Sequence, residues 1–573
     1  RIAGGDLTFG GVFFRAPLYY YLLGALYRLF GVDPVVARVF QIAISAASTL
    51  LIYRLARTTF HAGVAVIAGG LACVYGMYVY FANELLIETL ALFLNLVALN
   101  LFLRALEGAR AWRWGAAGVG FGLAAITQPN VLVFVALALA WSFASLRHSW
   151  GGAPTVRCVG ACVAGLALMI APVTAYNAIV GGDRVLISSQ GGVNLYIGNN
   201  PEANGVSAYV PGARLDWNGF IEDTNRLAKA GLGDPDAKPS AISRYWSGKA
   251  IDFMVSEPRH FLWLTARKVY FFFNAYEAAN NRSLRPMTDF SLLFSYATAR
   301  FWFVFPLAIA GVYLARGHAR HLRWLLLFLV AQAGSFILFF VNARFRLSIT
   351  PVVIVLAAFA LWRLGRARRL VWRDARLRKA LLLAVVVALA IFPHPRLQSE
   401  ERWRGQLNYA AVLSKRKQFA EAAAVLEAAK SLKTTEPDAH VMLGRLYMDE
   451  LRDPEKSLAN FRGALVIAPN NADVVSDAGT AHFLAGKCDE AVPLLVRAIR
   501  LDDQNPLPQR TLADCHERMG HSDQAAEARA VLAATLFRRG DAGRARTELG
   551  RALQLDPRNQ TAQRLLEQMQ SPR

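Results

Sequence analysis

Apolar residues fall along the chain in two rhythms, and the change comes near Pro393. Before that point, long runs with almost no charge recur. After it, apolar positions return every three or four residues among charged ones, and no run is long enough to cross a bilayer. A helix advances about 1.5 Å per residue, so spanning the hydrocarbon core takes roughly 20 apolar residues. The first part supplies ten candidate spans, some of them short: 35–57, 62–81, 84–104, 112–127, 130–147, 157–178, 298–316, 323–341, 349–364 and 379–393. So many in succession argue against buried helices of a large soluble protein and predict a polytopic helical bundle.

The second part carries a fixed period. Small residues recur at Ala422, Ser457, Ala491 and Ala525. Leu426, Phe461 and Leu495 follow four residues on, with Arg529 in the fourth place. Ala429, Ala464 and Ala498 come three later, and Ala410, Gly444, Gly479 and Ala513 stand about twelve before each small residue. Pro469 and Pro557 close repeats, and a last unit (Ala545, Leu549, Ala552) is offset by 20 residues from the one before it. A period near 34 with small residues at the helix crossings predicts stacked helix pairs of the tetratricopeptide type. The fold class is therefore all-α: a membrane bundle over 1–393, then an α-solenoid over 394–573.

Composition agrees. Of 573 residues, 55% are hydrophobic and 18% charged, against about 25% charged in soluble domains. The net charge of +22 would fit nucleic-acid binding, but its placement excludes that reading. Residues 394–573 are nearly balanced, with 26 basic and 24 acidic side chains. The excess gathers in alternate short loops of the first part. Those loops hold Arg54 and Arg57; Arg104, Arg110 and Arg113; Arg147 and Arg157; Arg316, Arg320 and Arg323; and the run from Arg363 through Arg366, Arg368, Arg369, Arg373, Arg376 and Arg378 to Lys379. Basic residues mark cytoplasmic loops. The segment 1–34, the long loop 180–297 and everything after 394 are then extracytoplasmic. The long loop is close to neutral, with 12 basic and 11 acidic residues.

The five cysteines form no disulfide framework or metal-ligand pattern. Phosphate-cradling glycine loops, H-E-x-x-H and G-x-S-x-G are all missing from the sequence. Candidate chemistry lies at the outer rim instead. Arg15 opens an aromatic stretch, Phe13–Leu23, that includes Tyr19 and reads as an interfacial amphipathic helix. Glu84 and Glu88 flank the start of a span, four apart and so on one helical face; an acid there is a functional candidate by default. Arg344 and Arg346 break the rule that outer short loops lack arginine, and suit an anionic lipid headgroup. In the long loop, Asn194, Tyr196, Asn199 and Asn200 lie in a glycine- and amide-rich stretch, Ser188–Pro201, expected to be turn-rich and suited to hydroxyl-rich ligands. Tyr245, Trp246, Arg267, Lys268, Asn274, Tyr276, Glu277, Asn280 and Asn281 form a later aromatic, basic and amide cluster.

The ordered set Arg15-Ala16-Pro17-Leu18-Tyr19-Tyr20, Phe30-Gly31, Ala37-Arg38, Glu84…Glu88, Thr127-Gln128-Pro129-Asn130, Gly191–Pro201 and Ala343–Arg346 resembles the polytopic GT-C glycosyltransferases. The branch is that of protein O-mannosyltransferases and the lipid A aminoarabinose transferase, in bacterial members carrying C-terminal tetratricopeptide repeats. The resemblance implies a multi-pass protein of the bacterial inner membrane with its repeats extracytoplasmic. It implies transfer of a sugar from a polyprenyl-phosphate donor to a protein or glycan acceptor on the outer face, with inversion and a carboxylate general base.

On that reading Glu88 and Glu84 are the catalytic acids, Glu88 matching the family's second acid. Arg15, Arg344 and Arg346 meet the lipid phosphate, and Tyr19, Asn194, Tyr196, Asn199 and Asn200 meet substrate. The principal acid is expected upstream of Arg1, since the family's acidic motif precedes the Arg-Ala-Pro-Leu stretch and Asp6 sits in what reads as a turn; separately, the family often has an arginine near Asn177, where this chain has Tyr176. No cofactor is implied, and a divalent ion bridging acids and phosphate stays open. The repeats are expected to bind a protein. A non-catalytic membrane-anchored scaffold and a lipid or glycan transporter are the other classes this sequence admits.

Overall fold

The computed structural model describes residues 2–4, 8, 10–206, 210–213, 217–275, 299–316, 321–367, 374–392 and 395–570. Asp6, Tyr276, Glu277, Asn280, Asn281, Arg320, Arg368, Arg369 and Arg373 lie outside that set. Two compact units divide the chain, the second beginning its main segment at Pro395.

The regular elements of the first unit, among its described residues, are helices. A short helix α1 (Leu18–Phe30) precedes α2 (Pro34–Thr59), α3 (Ala62–Cys73), α4 (Gly76–Asn83), α5 (Glu88–Ala105), α6 (Ala111–Ala125), α7 (Val131–Trp150) and α8 (Gly152–Ile179). The segment after α8 contributes α9 (Gly191–Gly198), α10 (Trp217–Leu232), α11 (Pro239–Ser256) and α12 (Pro258–Phe273). Next come α13 (Phe301–Ala315), α14 (Leu322–Ile337), α15 (Thr350–Ala367) and α16 (Ala375–Ile391). Among the described helices, α2, α5, α7, α8 and α15 are long and apolar enough to cross a membrane, and α3, α13 and α14 are shorter apolar helices. The protein is a multi-pass membrane protein.

Close packing explains the tightest helix pair. A Cβ on Gly118 of α6 would lie 2.0 Å from the Cys162 carbonyl of α8, and one on Gly165 of α8 would lie 2.3 Å from the Gly115 carbonyl. In lipid there is little hydrophobic drive between helices, so small residues that let backbones touch supply the contact.

Two expectations are corrected here. The predicted span 62–81 is not one helix. It breaks at Val74–Tyr75, where the backbone pairs with Ala299: the Ala299 N–H donates to the Val74 carbonyl at 2.7 Å and the Gly76 N–H to the Ala299 carbonyl at 3.3 Å. Non-helical backbone between apolar helices requires such partners. The span 84–104 also starts later. Glu84 caps the end of α4 in an extended conformation and α5 begins at Glu88, so the two acids do not share a helical face. The intervening turn is held from outside: the Gln41 amide donates to the Glu84 carbonyl (2.8 Å) and the Phe81 carbonyl (3.4 Å), and the Thr89 hydroxyl donates to the Phe81 carbonyl (2.9 Å).

The second unit is a stack of helices: α17 (Pro395–Lys415), α18 (Phe419–Leu432), α19 (Asp438–Asp449), α20 (Pro454–Ile467), α21 (Ala472–Leu484), α22 (Cys488–Leu501), α23 (Pro506–Arg518), α24 (Ser522–Arg538), α25 (Ala542–Leu555) and α26 (Gln560–Gln570). The repeat signature has a direct packing cause. A Cβ on Gly444 would press on the Phe461 ring at 2.7 Å, and one on Gly479 would meet Leu495 at 2.8 Å. The small residue of one helix thus receives the large residue of the next.

The offset last unit is also explained. α24 runs 17 residues and packs on both α23 and α25, serving two neighbouring pairs. Arg529 on it, where the repeat pattern expects an apolar residue, is buried among Asp514 (2.9 Å), Glu517 and Glu548 (2.6 Å).

Candidate functional site

The site is assembled where the first residues of α1 and α5 meet the turn between α14 and α15. Glu88 is 3% exposed, at the first position of α5. Its Oε1 lies 3.5 Å from Nε of Arg344, in the 3-10 turn Ala343–Ser348. The pair is at ion-pair distance, yet neither Glu88 oxygen nor Arg344 Nε makes a hydrogen bond among the described residues. Buried carboxylate oxygens normally find hydrogen-bond donors. A carboxylate and a guanidinium with unused hydrogen-bonding capacity, set among apolar helices, make this pair the candidate site.

Two further candidates converge on this pair. Burial works against the charge of Arg344 and lowers its pKa; Glu88 opposes that shift, and Arg15 adds a like charge close enough to push the same way as burial. Tyr19 is buried on α1 and its hydroxyl donates to Gln41 Oε1 at 3.2 Å. Burial raises the Tyr19 phenol's pKa, with Tyr27 and then Glu88 adding to it. Tyr19, Gln41 and the Glu84 carbonyl thus form a hydrogen-bonded file beside Glu88. Glu84 itself is half-buried and forms no ion pair among the described residues.

The loop carrying Arg15 is set by Asn177, which is buried at the end of α8. Its Oδ1 accepts from the Phe13 N–H at 3.0 Å, and its amide donates to the Val185 (2.9 Å) and Ile187 (3.2 Å) carbonyls. Phe13 stacks on Tyr176 at 4.5 Å. The Leu18 N–H donates to the Ile126 carbonyl at 3.2 Å, which joins the start of α1 to the end of α6.

Other predicted residues are placed differently. Arg346 is buried; its guanidinium donates to the Asn274 carbonyl and lies over the Phe301 ring at 4.7 Å. It holds the end of α12 and the start of α13 instead of joining Arg344. The stretch read as turns contains helix α9. Asn194 is half-buried on it, and Tyr196 packs on Trp246 at 4.8 Å. Asn199 and Asn200 are fully buried, and their amides donate to backbone: Asn199 to Leu195 and Leu338 (both 2.8 Å), Asn200 to Tyr196 (2.9 Å). Those side chains are committed to ending α9 and joining it to α14. Among the described residues, no three His, Cys, Asp or Glu side chains gather as a metal site.

Sequence reasoning missed Gln41 and the weight of Lys268. Gln41 had a signal: an amide inside a long apolar helix, three residues after Arg38. Lys268 had none beyond its place in a basic, aromatic cluster. Its ammonium is fully buried and donates to Asn199 Oδ1 (2.9 Å) and to the Phe339 (3.1 Å), Gly198 (3.2 Å) and Leu338 (3.5 Å) carbonyls.

An apolar multi-helix bundle with a carboxylate and two arginines gathered beside its helix ends defines the class: a polytopic membrane protein with a buried charged cluster. Residues 15–176 match the family model described as dolichyl-phosphate-mannose-protein mannosyltransferase, a GT-C-type glycosyltransferase. The matched region opens on Arg15 and contains Tyr19, Gln41 and Glu88. No curated protein matches the chain.

Similar solved structures include YrrB, titled a TPR protein with an unusual peptide-binding site, at 20% identity, covering 28% of this chain and 91% of that one, TM-score 0.21. The MamA protein is similar at 18% identity, 28% and 93% coverage, TM-score 0.23. TTC0263, a thermophilic TPR protein of Thermus thermophilus, is similar at 17% identity, 29% and 97% coverage, TM-score 0.20. The helical-repeat reading of the second unit rests on its own helix pairs.

Proposed function

We propose that the protein is a membrane glycosyltransferase that moves a sugar from a polyprenyl-phosphate donor to an acceptor hydroxyl at the extracytoplasmic face, with inversion. The observation that carries this reading is the buried Glu88–Arg344 pair with Arg15 beside it; Arg15 and Glu88 fall within the family-matched residues 15–176. In the step proposed, the acceptor oxygen attacks the anomeric carbon as the bond from that carbon to the phosphate oxygen breaks. The hydroxyl proton passes to a carboxylate, and the lipid phosphate leaves with the bonding pair. Glu88, at ion-pair distance from Arg344, is a carboxyl group proposed to take part in that proton transfer. Arg344 and Arg15 supply positive charge where the phosphate becomes more negative, and low polarity around them strengthens that effect. The repeat unit is proposed to hold a protein acceptor or a protein partner.

The test is mass spectrometry of envelope glycans and glycoproteins in cells with the intact gene, without it, and with Glu88→Gln. Loss of one glycan in both altered strains supports the reading. Identical glycan profiles in all three strains overturn it.

A further inference from the structure

Lys268 is a cation without a carboxylate partner among the described residues. The groups facing its ammonium are neutral: the carbonyls of Gly198, Leu338 and Phe339 and the amide oxygen of Asn199. A buried ammonium is costly unless all its protons are taken up, and this nest takes them up.

The surrounding backbone is shaped to bring the nest close. A Cβ on Gly198 would fall 1.7 Å from the Phe339 carbonyl oxygen, so only glycine lets α9 touch that segment. Gly205 has φ +82° and lies where a Cβ would meet Lys268 Cγ at 2.8 Å. The Gly205 carbonyl in turn accepts from the Val341 N–H at 2.9 Å. Lysine stem, Gly198 and Gly205 therefore grip residues 338–341 from three sides. Arg344 follows three residues later, in the turn that brings it to Glu88.

We infer that Lys268 is a positioning residue: its ammonium clamps segment 338–341 and so sets where Arg344 stands against Glu88. The ammonium's three protons are shared among four acceptors, two on or beside α9 (Gly198, Asn199) and two on the clamped segment (Leu338, Phe339); a neutral isostere of the same length has none to give. This inference rests on the proposed role of the Glu88–Arg344 pair in meeting a polyprenyl phosphate.

The experiment uses the full chain in nanodiscs, with Lys268→Met, Lys268→Arg, Arg344→Ala and the Lys268→Met/Arg344→Ala double variant. Undecaprenyl phosphate is the probe, its binding read by native mass spectrometry, and amide hydrogen exchange is followed in parallel. The clamp predicts at least about tenfold weaker binding for Lys268→Met, recovery to within about threefold in Lys268→Arg, and no further loss in the double variant beyond that of Arg344→Ala, since residues acting through one another are not additive. It also predicts exchange about tenfold faster in 338–346 of Lys268→Met, with α2 and α5 unchanged.

Additive losses in the double variant, or faster exchange across the whole bundle, would assign Lys268 a purely structural role and overturn the inference. If Arg344→Ala binds the probe as the parent does, the lipid-phosphate reading of the pair fails. The clamp is then decided by exchange alone: local acceleration in 338–346 upholds it, and an unchanged rate overturns it.

Discussion

Replacing Glu88 by Gln keeps the size and shape of the side chain and removes one charge. Its Oε1 stands 3.5 Å from Arg344 Nε. At an effective dielectric near 20, a unit pair at that distance attracts by about 5 kcal/mol. Removing one partner of a buried pair typically costs about 3–5 kcal/mol, because the other charge is left without compensation. Here the remaining guanidinium also keeps Arg15 as a like-charged neighbour.

Two outcomes follow. Sugar transfer should fall by about two to four orders of magnitude, the range for loss of a positioned proton acceptor. The detergent-extracted protein should melt lower than the parent, and Glu88→Gln/Arg344→Gln should recover part of that loss by removing the stranded charge. The assay is a double-variant cycle on melting temperature, with transfer followed by glycan mass spectrometry. If the double variant melts lower by the sum of the two single effects, the residues are not paired and the site is wrongly drawn. If Glu88→Gln transfers sugar at the parental rate, Glu88 has no part in the chemistry.

Arg346→Met should destabilise the protein by about 2 kcal/mol through loss of the Asn274 carbonyl contact and the Phe301 stacking, seen as a lower melting temperature, while leaving affinity for undecaprenyl phosphate within about threefold; tenfold weaker binding would return Arg346 to the lipid-phosphate site. Burial pulls the pKa of Lys268 from 10.5 down to about 8, so the penalty for holding it charged, on the order of 3 kcal/mol, is present below pH 8 and is relieved as pH rises toward 10.5. Activity should therefore drop above about pH 8 as the clamp loses its charge, without a parallel fall in melting temperature, and Lys268→Arg should remove that alkaline limb; matching limbs in both proteins would exclude Lys268 as its source. Arg529→Met should strand Asp514, Glu517 and Glu548 around an apolar side chain, so limited proteolysis of the full chain should cut first between α24 and α26; an unchanged cleavage pattern would show the cluster to be dispensable. Gly118→Leu should fail to yield stable protein in the membrane, because its Cβ alone would overlap the Cys162 carbonyl; parental expression and melting would show that α6 and α8 can separate freely.

Local pattern made much of this protein legible in sequence. The apolar runs marked α2–α8 and α13–α16 in outline, because a span needs length and apolarity and both can be counted; α9–α12 lie in the long loop, where no such run pointed to them. The repeat period fixed the helix pairs of the second unit, because each small residue must face a large one, as Gly444 faces Phe461. The break at Val74–Tyr75 was not legible, since the groups that satisfy that backbone come from Ala299, far along the chain. The same holds for the acids. Four-residue spacing predicted a shared helical face for Glu84 and Glu88, and tertiary hydrogen bonds from Gln41 and Thr89 ended one helix and began the next between them.

The chain's arginines show the same division. Sequence alone separated the arginines of the alternate basic loops from Arg15, Arg344 and Arg346, because which loop a charge sits in can be read from the order of residues. It gave Arg344 and Arg346 the same role, two residues apart in one turn. Only the tertiary structure told them apart: the 3-10 turn sends Arg344 toward Glu88 and Arg346 toward Asn274 and Phe301. Periodicity and charge placement are local properties written in the order of residues. Which guanidinium meets which carboxylate depends on contacts between segments far apart in the chain, and those exist only once the helices have packed.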